Sequence, residues 1–168
     1  MKSKYTSILI VVLILLSSGT HAQVVEPTTS GGEQALRRSL FGLGIFGGPA
    51  GGLGVSFRHH LRSAFSYQVT GGIIKVDDKL NYDIGVEIQY DLDRGSTGRF
   101  FAAGAASYFY SGRNGVNEMN GPGRVGLGVG GEAFIGNGFH ATADILFTYF
   151  SDSTVLPLPQ FGVFYYFY

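Results

Sequence analysis

The chain has 168 residues, with 12 basic and 12 acidic side chains and a formal net charge of zero, so its charge balance offers no basic surface for nucleic acid. Charged residues make up 14% of the chain and aromatic residues another 14%, with 27 glycines and no tryptophan, a balance poorer in charge than that of ordinary soluble domains. The absence of cysteine excludes disulfides, thiolate metal sites, cysteine nucleophiles and lipoprotein anchoring.

The first residues predict a secretory signal peptide. Lys2 and Lys4 precede an apolar run over residues 8–16, and small and polar residues follow up to Ala22. The run is about half as long as the roughly 20 apolar residues that a membrane-spanning helix needs. We therefore predict cleavage after Ala22, then a flexible lead-in over residues 23–35 and one domain over residues 36–168.

Beyond the lead-in, segments of about ten residues alternate with turn clusters, which is the repeated signature of outer-membrane strands. No apolar run after the signal is long enough to span a bilayer as a helix. A membrane location would therefore require a closed barrel, because unpaired backbone groups cannot face hydrocarbon. We predict eight strands, at about residues 38–46, 53–60, 63–74, 80–90, 100–110, 124–135, 139–150 and 158–168.

The charges within these strands predict which face meets lipid. A charge on the lipid face near the membrane centre costs about 2 to 4 kcal/mol for Arg or Lys and less for acids. We therefore expect an interior polar network formed by Arg58, Glu87, Glu132, His140 and Asp144. Because eight strands enclose a space that side chains can fill, this network would be buried and mutually paired and would leave no open pore.

The connection at residues 136–138 could be a two-residue Asn-Gly turn or a three-residue loop with Gly138 left-handed. Only the three-residue loop would pair Ala133 with Ala141 and Glu132 with Thr142, which keeps the apolar faces together. We therefore predict the three-residue loop. The inward glycines of the sixth strand are expected to make room for bulkier neighbours.

The last predicted strand carries six aromatic residues in the eight positions 161–168, and Phe164, Tyr166 and Tyr168 recur at every second position. In this it resembles the small eight-stranded bacterial outer-membrane β-barrels of the OmpX or OmpA transmembrane-domain type. The resemblance implies an all-β, antiparallel, up-and-down transmembrane barrel in the outer membrane, with these three aromatic residues as an assembly signal. It also implies outer-membrane lipid and the barrel-assembly machinery as partners, and a structural or surface-interaction role.

Up-and-down connectivity predicts the side on which each connection lies. If both chain ends are periplasmic, the turns near residues 59–62, 91–98 and 136–138 are periplasmic as well. The loops at residues 47–52, 76–79, 111–123 and 151–157 then face outward. The prolines are expected in linkers and loops, except Pro159 near the start of the last strand, where a missing amide hydrogen is tolerated.

Candidate chemistry is sparse. His140, Thr142 and Asp144 share a predicted inward face with Glu132, a grouping that could be a hydrolytic constellation like those of lipid A-modifying barrel enzymes. A structural polar network is the preferred interpretation, since His140 follows a periplasmic turn whereas lipid A lies in the outer leaflet. His59 and His60 point to opposite faces of a strand and cannot chelate one ion together.

We therefore predict a non-enzymatic barrel without cofactor or metal. The alternatives are a lipid A-modifying enzyme and a soluble periplasmic barrel that carries an apolar ligand. The soluble barrel would need an apolar interior and a polar exterior.

Overall fold

The computed structural model describes residues 39–113 and 115–167, and within them the chain forms nine antiparallel strands. The strands are β1 (Leu40–Gly48), β2 (Gly52–His60), β3 (Phe65–Val76), β4 (Lys79–Arg94), β5 (Gly98–Arg113), β6 (Val116–Asn117), β7 (Gly123–Gly136), β8 (Phe139–Phe150) and β9 (Val155–Phe167). The predicted signal peptide over residues 1–22 and the lead-in over residues 23–35 lie outside the described residues.

Eight long strands close into a barrel among the described residues. Each pairs with the next along the chain, β5 pairs with β7, and β9 returns to pair with β1 over Phe41 to Gly47. The two-residue strand β6 pairs only with β5. This closed, up-and-down antiparallel arrangement confirms the predicted fold class. Within residues 39–113 and 115–167, no helix has the length and apolarity needed to cross a membrane.

The barrel has an apolar exterior and a polar interior. Along each strand, exposed large apolar side chains alternate with buried ones, and on the outside Ile73, Leu127 and Phe147 are 73%, 68% and 63% exposed. The buried polar side chains include Arg58, Glu87, Glu132 and Asp144, together with glutamines, serines and threonines. This distribution is the opposite of that in a soluble lipid-carrying barrel and is the one a bilayer requires.

Aromatic rings collect near both ends of the exposed apolar belt. The end at which β1 begins and β9 ends, here named the terminal end, has the larger set: Phe41, Phe65, Tyr67, Tyr90, Phe100, Phe139, Tyr165 and Phe167. The opposite end, here named the loop end, has Tyr82, Tyr108 and Tyr149. Tyrosine and phenylalanine thus provide the girdles that interface-seeking rings form in membrane barrels.

Several strands are longer than the sequence predicts. β4 continues to Arg94 past a bulge between Asp91 and Asp93, so Asp91 lies in a strand and not in the predicted turn. β5 continues to Arg113, and β6 follows, so the predicted loop over residues 111–123 contains strand structure. Pairing with a neighbouring strand satisfies these polar backbone groups, which outweighs the turn propensity of Asp, Gly and Ser.

The last strand also begins earlier than predicted. β9 starts at Val155, so Pro157 lies inside a strand and not in the predicted loop. Pro157 and Pro159 belong to the part of β9 that pairs with β8 alone, since pairing with β1 begins at Phe161. A residue without an amide hydrogen is tolerated there because one side of the strand is unpaired.

The β7–β8 connection has the predicted register but a different turn. Ala133 pairs with Ala141 and Glu132 with Thr142, as predicted. The prediction of a three-residue loop is wrong. Asn137 and Gly138 form a two-residue turn with φ of 51° and 82°. A bulge between Phe134 and Gly136 supplies the extra residue. A turn with two positive φ angles matches the twist of a hairpin, and the bulge keeps the apolar faces together.

The β1–β2 connection at residues 49–51 turns into the lumen, whereas the sequence predicts an outward-facing loop there. Ala50 is fully buried and packs with Phe101, Ala103, Ala105 and Leu146, whose side chains come from β5 and β8. The connection therefore folds into the barrel from the loop end.

Substitutions at two neighbouring glycines of β7, Gly130 and Gly131, test how tightly the lumen is packed. A Cβ at Gly130 would lie 2.4 Å from the Asp144 Cβ and 2.8 Å from the Phe101 ring, whereas a Cβ at the neighbouring Gly131 meets only the Arg99 carbonyl oxygen at 3.6 Å. We expect Gly130→Ala to lower the free energy of unfolding by about 1–3 kcal/mol through overpacking. Gly131→Ala should change it by about 0.5 kcal/mol or less. Urea unfolding of the folded protein in detergent micelles measures both, and equal effects would contradict this account.

Candidate functional site

The polar interior is centred on the carboxylate of Glu132. Arg58 Nη1 donates a hydrogen bond to Glu132 Oε2 at 2.8 Å, and Arg99 donates two to the same oxygen, from Nε at 2.9 Å and Nη2 at 2.6 Å. The other oxygen, Oε1, lies 2.7 Å from His140 Nδ1 and 3.7 Å from His60 Nε2. One buried carboxylate thus holds groups from β2, β5 and β8 together across the lumen.

The two arginines also have partners other than Glu132. Arg58 donates from Nε to Gln68 Oε1 at 2.8 Å, and its guanidinium lies 4.0 Å from the centre of the Phe164 ring. Arg99 donates to Asp91 Oδ1 at 2.6 Å and also bonds to Gln89. Buried guanidinium groups are tolerated only when their donors are satisfied, and these contacts meet that requirement.

The buried histidine of β2 joins this network to the last strand. His60 Nδ1 lies 2.6 Å from Ser66 Oγ, and His60 Nε2 lies 2.6 Å from the Tyr166 hydroxyl. The Tyr166 ring also packs against the ring of His140, with 4.3 Å between their centres. Together with Glu132 and the two arginines, these residues form a layer across the barrel near its terminal end, here named the Glu132 layer.

A second polar cluster lies nearer the loop end. Gln160 Nε2 donates to Asp144 Oδ1 at 2.8 Å and lies 3.3 Å from Glu87 Oε2. Gln89 Nε2 donates to the other Glu87 oxygen at 2.6 Å, which links this cluster to the Glu132 layer. Asp144 Oδ2 is buried and has no hydrogen-bond partner among the described residues.

The inward β1–β2 turn rests on this second cluster. The backbone N–H groups of Ala50 and Gly51 both donate to Gln160 Oε1, at 3.0 and 2.7 Å. At the loop end, the Pro49 carbonyl oxygen accepts a hydrogen bond from Ser107 Oγ at 3.0 Å and one from Arg124 Nη1 at 3.4 Å. The backbone of Gly51 approaches β4 so closely that a Cβ at Gly85 would lie 2.3 Å from the Gly51 carbonyl oxygen.

The structure places all five proposed interior residues in the lumen, in two groups. Arg58, Glu132 and His140 belong to the Glu132 layer, whereas Glu87 and Asp144 meet around Gln160. Sequence reasoning missed Gln68, Gln89, Arg99 and Gln160, although each has the inward parity of its strand. Arg99 was missed because the fifth strand is predicted to start at residue 100, whereas β5 starts at Gly98.

The hydrolytic grouping considered from the sequence is not assembled. His140 bonds to Glu132, Thr142 Oγ1 donates to the Gly131 carbonyl oxygen at 3.2 Å, and Asp144 bonds to Gln160. A catalytic triad needs these groups in one hydrogen-bonded chain.

His59 and His60 point to opposite faces, since His60 is buried in the lumen while His59 contacts Tyr67 outside. No group of three or more metal-ligating side chains occurs within residues 39–113 and 115–167.

The alternating aromatic residues of the last strand point into the barrel. Phe164 and Tyr166 are fully buried, under Arg58 and beside His60. The exposed residues among the described part of this segment are Phe161, Val163, Tyr165 and Phe167. Tyr168 lies outside the described residues. The role of Phe164, Tyr166 and Tyr168 as an assembly signal stays a prediction.

The closed barrel, the apolar belt with aromatic ends and the charged interior define an integral β-barrel protein of the outer membrane. No protein-family model matches the chain, and no curated protein does so either. Among solved structures, the chain is similar to Ail, the attachment invasion locus protein of Yersinia pestis, at 10% sequence identity, with a TM-score of 0.36 and with 77% of this chain and 97% of that chain covered. The fold class and location rest on the strand pairing and surface of this barrel itself.

Replacing the central carboxylate tests the Glu132 layer. Glu132→Gln would leave the buried Arg58 guanidinium without its carboxylate partner and Arg99 with Asp91 alone, so we expect the free energy of unfolding to fall by about 3–5 kcal/mol. Glu118→Gln is the control, because Glu118 pairs with Lys79 at 3.6 Å on the surface and such pairs contribute about 1 kcal/mol or less. Urea unfolding in micelles compares the two variants. A loss at Glu132 no larger than that at Glu118 would contradict the central role of this carboxylate.

Proposed function

We propose that this protein is a non-enzymatic outer-membrane barrel with a structural or surface-interaction role and no open pore. The observation that carries the proposal is the filling of the lumen by two successive obstructions. The Glu132 layer crosses the barrel near the terminal end, and the β1–β2 turn occupies it toward the loop end.

The filled lumen favours this role over transport and over carriage of an apolar ligand. The side chains of Arg58, Phe101, Phe164 and Tyr166 are fully buried. The Arg58 guanidinium lies over the Phe164 ring, and that of Arg99 lies over the Phe101 ring. An eight-stranded barrel is just wide enough for such packing. A carrier of apolar ligands would instead need an apolar, unfilled interior.

The loop end offers the surface through which an interaction role would act. β3, β4 and β5 project past the β1–β2 turn, and β6 is held to β5 by Asn117, whose side-chain oxygen accepts a hydrogen bond from the Ser111 amide at 3.1 Å. This projection carries a surface pocket of about 330 Å³ lined by Lys75, Asp78, Leu80, Tyr110, Gly112 and Gly115. We propose that contacts outside the cell are made here.

Assembly is proposed to follow the route of the barrels that the sequence resembles. Outer-membrane lipid would surround the apolar belt, and the barrel-assembly machinery would recognise the aromatic last strand, with Phe164, Tyr166 and Tyr168 as its alternating residues. Support comes from the position of this strand, since its pairing with β1 closes the barrel.

Fractionation tests the location. We expect the protein to stay with outer membranes after a carbonate wash, because its apolar belt is stable only against lipid. The folded form should also migrate differently from the boiled form on a gel, because a closed barrel resists the detergent of the gel until it is heated. Release into the soluble periplasmic fraction would contradict the assignment and favour the soluble barrel.

Conductance tests the closed lumen. Purified, folded protein inserted into planar lipid bilayers should show no stable open channel, since both the Glu132 layer and the β1–β2 turn block the passage. A large general porin inserted in the same bilayers is the positive control. Steady channel currents from this protein would rule out a filled lumen.

A further inference from the structure

The β1–β2 turn occupies a pocket of the lumen whose polar and apolar groups match its own. Two adjacent backbone N–H groups share one acceptor on Gln160, and one carbonyl oxygen receives donors from Ser107 and Arg124. The methyl group of Ala50 occupies a hole beside Leu146, where a Cβ at Gly126 would lie 2.8 Å from the Ala50 Cβ. The pocket is therefore shaped and polarised for this segment of backbone.

The attachments of the turn differ from those of the Glu132 layer. None of residues 49–51 carries a charge, and the turn buries one methyl group, so hydrogen bonds provide most of its specific attachment. Glycines lie on both sides of Pro49 and Ala50, at residues 47, 48, 51 and 52, and Gly52 has a φ of 95°, which favours glycine. β1 and β2 end at this turn, so it can move without unpairing a strand.

We propose that the β1–β2 turn is a lid that swings between the lumen and the loop-end solvent, and that in the closed form it occupies a pocket of the barrel. Opening exposes Leu146, Ala105 and the amide of Gln160 to the outside. The Glu132 layer does not take part in the motion, so the open form has a blind pocket and still no pore. The lid goes beyond the proposed function and does not depend on it.

Single cysteines in this cysteine-free chain report the motion. Leu146→Cys places a thiol beneath Ala50, and Ser66→Cys places one in the Glu132 layer. Each is reacted with a small membrane-impermeant thiol reagent in folded protein, with and without Gln160→Leu. We expect Gln160→Leu to raise the labelling rate of Leu146→Cys about tenfold or more, because losing the acceptor of two buried N–H groups favours the open turn.

The controls separate lid opening from general loosening. Labelling of Ser66→Cys should not change with Gln160→Leu, and Gln68→Leu, which removes a buried glutamine bound to Arg58, should leave the labelling of Leu146→Cys unchanged. Equal labelling of Leu146→Cys with and without Gln160→Leu would overturn the proposal. A parallel rise at Ser66→Cys, or the same rise with Gln68→Leu, would also overturn it.

A second variant keeps the test valid if Gln160→Leu does not fold. Ser107→Ala removes only the hydroxyl that donates to the Pro49 carbonyl, and it should raise the labelling of Leu146→Cys about threefold or more. No change in that rate would count against the lid.

Discussion

The closure of the sheet on itself is the constraint on which the rest of the structure depends. In a bilayer every backbone N–H and C=O must be paired, and only a closed barrel achieves this with strands. Closure also fixes the volume of the lumen, so each inward residue must fit beside residues from distant parts of the chain. The charged groups, the glycines and the inward turn are all consequences of that confined space.

Confinement explains why the interior charges are organised around one carboxylate. Charges excluded from lipid must lie in the lumen, where water is scarce and unpaired charge is costly. Glu132 meets this condition by accepting from Arg58 and Arg99 with one oxygen and facing His140 with the other. Gln68 and Gln89 bond to the two arginines as well, so the network joins strands across the lumen.

The two halves of the lumen are filled in different ways. Near the terminal end, ion pairs and ring contacts join strands across the barrel, and these contacts can separate only if the barrel itself loosens. Toward the loop end, a short uncharged turn takes the place that large side chains fill elsewhere, and the small residues Ala103, Ala105 and Gly126 leave space for it. The barrel thus combines a rigid Glu132 layer with a β1–β2 turn that can move.

The sequence by itself determined the number of long strands, their alternation and the side of the barrel on which Arg58, Glu87, Glu132 and Asp144 lie, because these follow from a period of two and from the cost of charge in lipid. It also determined the register of β7 against β8, since slipping by one residue would turn every side chain over. Only the tertiary structure decided that Glu132 and not Asp144 pairs with the arginines. It also decided that Gln160 links Glu87 with Asp144, and that residues 49–51 enter the lumen. Those outcomes depend on which inward residues meet across the barrel. Neither the period of a strand nor the polarity of a loop predicts the distances between side chains on different strands.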